Sequence, residues 1–135
     1  MTLYLLDTNA VSSLITDPSG LVRQKVELVG HRQVCTSVIC AAEIRYGAAK
    51  RASANLTTRV ELVLGSLPIL ALESPADAIY GRLRASLEAK GASIGHHDLL
   101  IAAHVLALDC VLVTDNEREF RRVPGLAVEN WLRAA

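Results

Sequence analysis

An uninterrupted apolar run, Leu3-Tyr4-Leu5-Leu6, leads straight into a carboxylate and a turn at Asp7-Thr8-Asn9. A run without polar alternation reads as a strand buried on both faces, the situation of a strand inside a parallel sheet covered by helices. Such a strand delivers whatever follows its last residue to the carboxyl edge of the sheet, where open α/β folds form their ligand crevice. Asp7 is therefore placed by the fold itself. The question for the remaining chain is what else reaches the same edge.

Thr8–Ile15 reads as a brief helix that ends before the turn cluster Asp17-Pro18-Ser19-Gly20. Residues 21–29 set Val22, Val26 and Val29 on one helical face, and Gly30 and His31 end it. Val34–Val38 is β-branched and apolar enough for a second strand. Helical periodicity resumes with Ser37 as cap and carries Glu43 near the end of the second turn. Gly47 and the small, basic run 48–53 weaken that pattern and predict a break or loop. Leu56, Val60, Val63, Leu64 and Leu67 form one stripe of a helix over 54–67, and 68–72 is a third strand. Ser74-Pro75-Ala76-Asp77 combines a capping serine, a first-turn proline and an acid, starting a helix closed by Gly91. Residues 99–108 are apolar except for His104, a buried helix that Asp98 opens. A fourth strand, 110–114, runs into Asp115. A short helix Glu117–Arg122, an edge strand Leu126–Val128 and a packed Trp131-Leu132 follow. Strands alternating with helices predict right-handed crossovers. The expected fold is a three-layer α/β/α domain over residues 1–135 with a central, mostly parallel sheet of four to five strands.

At 135 residues and 51% apolar the chain is long and apolar enough for a sizeable core. Its formal net charge is zero, so contact with nucleic acid has to come from a local patch. The three cysteines, Cys35, Cys40 and Cys110, are odd in number and lack C-x-x-C spacing, which points to buried thiols in a reducing compartment. No signal peptide is apparent, because Asp7 interrupts the first apolar run, and no stretch approaches the ~18 apolar residues of a membrane helix. The expected setting is the cytoplasm.

Four acids sit where a casual surface charge is unexpected. Asp7 and Asp115 follow strands, Asp98 opens a buried helix, and Glu43 lies among Ile39, Cys40, Ala41, Ala42 and Ile44. Carboxylates in apolar surroundings are costly unless paired or metal-bound, and acids brought together raise one another's pKa. A divalent cation removes that penalty, and oxygen-only donors favour Mg²⁺ or Mn²⁺. Each acid also has a plain structural role open to it. Asp7 can cap the helix at Thr8, Asp98 can favour its helix dipole, Glu43 can pair with Arg45 or Lys50, and Asp115 can belong to its turn.

Five stretches carry a family resemblance. They are Leu6-Asp7-Thr8-Asn9; Ser37 to Gly47 around Glu43; Ile94-Gly95-His96-His97-Asp98 to Ala103; Leu112-Val113-Thr114-Asp115-Asn116 with Glu119-Phe120; and Val123-Pro124-Gly125-Leu126 to Trp131. Together, in this order and length, the chain resembles the PIN-domain ribonucleases of the VapC-type toxin group. The resemblance implies a PIN-like fold and a Mg²⁺- or Mn²⁺-dependent endoribonuclease, with Asp7 and Asp98 as principal metal ligands and Glu43 as the third acid. The fourth position falls on Asn116 or on Asp115 beside it. The resemblance also implies an RNA substrate, a homodimer, and a small antitoxin whose C-terminal segment covers the acidic groove with a basic side chain. Arg45, Lys50 and Arg51 after Glu43, and Arg118, Arg121 and Arg122 after the acidic turn, are candidates for phosphate contacts; a solvated helix face is the plain alternative.

Rival readings fit less well. A receiver-like module needs a phosphorylatable Asp after the third strand, which here ends Leu72-Glu73, and a late Lys, whereas no Lys follows Lys90. An aspartyl phosphatase needs Asp-x-Asp where this chain has Asp7-Thr8-Asn9. A catalytically silent PIN-like scaffold would not require Asp7, Glu43 and Asp98 together. No Gly-x-Ser-x-Gly elbow or Gly-rich phosphate loop is present. Of the histidines, His96 and His97 adjoin Asp98 but point in different directions on a helix, and His104 reads as a core or interface residue.

Overall fold

The computed structural model describes residues 1–134. Its elements are β1 (Tyr4–Leu6), α1 (Thr8–Thr16), α2 (Leu21–Val29), a 3₁₀ turn (His31–Gln33), β2 (Val34–Ser37), α3 (Val38–Arg51), α4 (Ala54–Gly65), β3 (Ile69–Leu70), α5 (Ala76–Ala89), α6 (His96–Leu108), β4 (Val111–Val113), α7 (Glu117–Phe120) and β5 (Ala127–Glu129). The five strands form one sheet in the order β3-β2-β1-β4-β5, with every pair parallel. β1 lies at the centre, and Leu5 and Leu6 are both fully buried on opposite faces. Leu6 belongs to a core built with α1–α4 and Trp131. Leu5 belongs to one built with α5, α6 and Phe120. The double burial read from the apolar run is thus real, and it fixes the three layers.

The order of strands decides where a crevice opens. From β1 the chain moves to β2 and β3 on one side, and β4 and β5 are laid on the other, so the direction of winding reverses between β1 and β4. The residues after Leu6 and Val113 flank that switch point. They are tied across it, since the Asp7 N–H donates to the Val113 carbonyl at 3.0 Å.

Several boundaries differ from the sequence reading. α3 has no break at 47–53: it runs unbroken to Arg51 and stops only where Ala52 turns left-handed (φ 52°). The small residues that blur the apolar pattern are the ones that fit against neighbouring helices. Ala41 and Ala48 are both buried there, and alanine is the best helix former. β3 is only two residues long, because Pro68 has no N–H to give; its carbonyl instead accepts from Thr36 N–H at 3.0 Å, as suits an edge strand. Ser74 does not cap α5 through the backbone. Its hydroxyl donates to Asp77 Oδ1 at 2.8 Å, and Pro75 takes the cap position. α6 begins at His96, so Asp98 lies within its first turn. α7 ends at Phe120, short of Arg122, and β5 is shifted by one residue to Ala127–Glu129. Trp131 packs on Tyr4 with ring centroids 5.0 Å apart. All three cysteines are buried free thiols that burial holds high, Cys35 and Cys40 at about 12 and Cys110 at about 11.

Candidate active site

Each residue of the turn after β1 has a separate task. Asp7 is 5% exposed and caps α1, its Oδ1 accepting from Ala10 N–H at 3.2 Å. Thr8 Oγ1 donates to Glu43 Oε1 at 3.1 Å, which aims the Glu43 carboxylate from α3 toward the sheet edge. Asn9 Oδ1 accepts from Asp115 N–H at 3.2 Å and pins the loop after β4. A capping role and a site role for Asp7 are therefore not alternatives. The cap holds the charge in place.

Burial pushes Asp7 up to about 6, against the pull of Thr114, Ala10 and Asn9 as donors, and the Glu43 charge adds to the rise. Thr114 is wholly buried at the end of β4 and also accepts from Asn116 N–H at 3.0 Å. Asp98 rises to about 6 as well. Burial is the main cause, followed by a hydrogen bond and charge from Glu119 and by the charges of Asp7 and Glu43. Burial also pushes Glu119 up, but the Gly95 N–H, the Asn116 amide, Asp98 and the Arg122 charge outweigh it and leave its carboxyl below the usual range. The two carboxyls are hydrogen-bonded to each other and shift in opposite directions, Asp98 up and Glu119 down.

The Glu43 charge thus raises both Asp7 and Asp98 at the carboxyl ends of β1 and β4, and Glu119 is hydrogen-bonded to Asp98. Glu119 is the acid that sequence reasoning missed as a site residue. It accepts from Gly95 N–H at 3.0 Å and from Asn116 Nδ2 at 2.7 Å. The available signal was the Asn116–Glu119 spacing of one helical turn. Asn116 joins the cluster through Glu119. Asp115 turns the other way and is held by Asn130 Nδ2 at 2.9 Å on the β5 side. Glu43 does not pair with Arg45, which is engaged by Glu61 at 2.9 Å. His97 Nε2 approaches Glu43 Oε1 to 3.7 Å, whereas His96 lines a small hollow together with Arg84 and Glu88 of α5. His104 is buried with its Nδ1 2.9 Å from Ser37 Oγ, far from the acids in role; burial holds its pKa down.

An all-oxygen set of mutually repelling, partly buried carboxylates has the chemistry of a hard-cation site. Among the described residues no three such donors already stand at coordinating spacing. Beside Glu43 a groove of about 290 Å³ runs between α1, α3 and α4, from Thr8 and Glu43 past Ile15 and Ile44 to Leu56 and Val60. A larger hollow of about 470 Å³ near Leu72 and Tyr80 holds Glu73 and Asp77. There the hydrogen bond from Ser74 lowers Asp77, the opposite of what mutual repulsion does.

Fold and acids together define a parallel α/β domain with carboxylates at the carboxyl edge of its sheet. Residues 4–126 match the family model for the PIN domain, so the chain belongs to the PIN domain family. Within that family it is similar to the VapC ribonucleases. It is 36% identical to ribonuclease VapC2 of Rickettsia felis over 96% of this chain and 98% of that one. It is 35% identical to the tRNA(fMet)-specific endonuclease VapC of Salmonella typhimurium over 95% and 97%. The crystal structure of VapBC2 from Rickettsia felis, bound to a DNA fragment from their promoter, has a chain that superposes with TM-score 0.87 at 34% identity. The match covers 96% of this chain and 99% of that one.

Proposed function

We propose that this chain is a divalent-metal-dependent endoribonuclease and the toxin of a toxin–antitoxin pair. The observation that carries the reading is the convergence of Asp7, Glu43, Asp98 and Glu119 at the switch point of a parallel sheet, with two of them pushed up to about 6. The likeness to VapC ribonucleases over nearly the whole chain supports it. Asp7, Glu43 and Asp98 would hold the ion, Mg²⁺ or Mn²⁺. Bound there, it would supply a Lewis acid and an activated water for in-line attack on a phosphodiester. Thr114, Asn9 and the Ala10 N–H keep Asp7 oriented, and Thr8 does the same for Glu43. Glu119, itself fixed by Gly95 and Asn116, steadies Asp98. Asp115 lies outside this set.

The Salmonella relative is named for tRNA(fMet), which makes a tRNA carrying single-stranded loops the first substrate to try. Arg118 and Arg121, next to the α7 acids in sequence, are candidates for phosphate contacts; Arg45 is taken by Glu61. The antitoxin segment belongs in the groove between α1, α3 and α4, with apolar side chains toward Leu56 and Val60 and a basic one at Glu43. The Rickettsia structure, a VapBC2 assembly, supports such a partner. A homodimer in the cytoplasm completes the reading; Leu62 and Leu72 offer exposed apolar surface for it. No helix among the described residues is long and apolar enough to cross a membrane. The test is cleavage of a defined RNA panel, tRNA included, with Mn²⁺, Mg²⁺ or chelator. Cutting that needs the ion and vanishes in Asp98→Asn supports the reading. Cutting that survives chelation, or that Asp98→Asn leaves intact, overturns it.

A further inference from the structure

The chain has one Trp, one Phe and three Tyr. Four of these rings are packed: Trp131 and Phe120 are buried, Tyr4 lies on Trp131, and the Tyr80 hydroxyl accepts from Arg84. Tyr46 alone is exposed, at 66%. It lies on α3 three residues after Glu43, which puts it on the same helix face and about 4.5 Å further along the axis. The Lys50 ammonium sits over the ring, 6.0 Å from its centroid. A ring this exposed adds little buried area to the fold, and a ring beside a phosphodiester-cleaving centre meets whatever strand enters it.

From this placement we infer that Tyr46 is a stacking platform for one nucleobase of the RNA strand, next to the phosphate that is cut, and that Lys50 holds a neighbouring phosphate. The inference rests on the ribonuclease reading above and adds how the strand is gripped. Zero net charge gives the protein no general attraction for a polyanion, and the acids themselves repel one. Stacking on tyrosine supplies affinity without charge and tolerates any base, and an adjacent lysine adds a charged contact. The grip thus selects unpaired nucleotides over duplex, in which every base face is already covered.

The experiment is steady-state cleavage, with Mn²⁺, of a short single-stranded oligoribonucleotide that the wild type cuts. Tyr46→Ala should raise KM on the order of tenfold and leave kcat within about twofold, and Tyr46→Phe should restore wild-type KM. The Tyr46→Ala factor should be the same at low and high salt, while that of Lys50→Ala shrinks as salt rises. In Tyr46→Trp, emission above the background of buried Trp131 should be quenched by the oligonucleotide. Unchanged KM in Tyr46→Ala, or a defect in Tyr46→Phe equal to that in Tyr46→Ala, overturns the stacking role. So does an unchanged KM with a fall in the protein's mass by light scattering, which would assign the ring to a protein contact. If the wild type cuts no RNA, the ribonuclease reading fails first, and the two failures are told apart.

Discussion

Asp7 caps α1 while its carboxyl is pushed up to about 6 by burial, so one side chain serves the fold and strains it. The native state holds that proton more tightly than the unfolded chain, whose value is near 3.8. The stability it contributes is therefore full below about 3.8 and is lost as pH rises through about 6. Asp7→Asn keeps an acceptor for Ala10 and removes the charge. In chelator at pH 7.5 it should be more stable than wild type by about 1–3 kcal/mol, with the gap closing toward pH 4.5, as read by urea unfolding. It should also abolish cleavage. Because Asp7 and Asp98 must lose their protons to hold a cation, wild-type activity should climb between pH 5 and pH 7, around the value of about 6 that both acids share. Glu119 and Asp115 separate in the same assay. Glu119→Gln should raise the Mg²⁺ concentration needed for half-maximal cleavage by about 10- to 100-fold, whereas Asp115→Ala should move it little. Asp7, Glu43 and Asp98 were legible in the sequence as acids out of place. Glu119 was not: its one-turn spacing from Asn116 was the local cue, while its tie to Gly95 N–H, which helps bring it to Asp98, is a long-range contact.

At the level of elements, the strands and helices that bury continuous apolar faces were readable, and those made of small residues were not. β1 and α6 have few polar positions, so burial alone identifies them. α3 reads as broken in sequence because Gly47, Ala48 and Ala49 carry little hydrophobic signal, yet Ala48 is core and the helix is continuous. A Cβ at Gly47 would meet nothing within 4 Å. Gly47→Ala should therefore stabilise the protein by about 0.5–1 kcal/mol in thermal or urea unfolding, through helix propensity alone. A loop at this point would give no gain. β3 was expected longer for the converse reason: the residues after Leu70 look extended and apolar, but an edge strand needs no more pairing than Thr36 and Ser37 provide.

For the whole molecule, acids from α3, α6, α7 and the end of β1 come near enough to feel one another's charge because a parallel sheet reverses its winding between β1 and β4. Ionised, Asp7 and Asp98 should destabilise the metal-free protein, and a cation that binds the native state alone should raise its melting temperature. Mn²⁺ should do so for wild type and not for Asp7→Asn, by differential scanning fluorimetry. The most direct measurement of the central claim is the anomalous scattering of Mn²⁺ soaked into crystals of the wild-type protein. The expected result is a peak ligated by Asp7 and Asp98, with Glu43 bound directly or through water and Glu119 within reach of Asp98. A peak anywhere else, or acids that stay apart and pair with arginines while the ion ignores them, would contradict it.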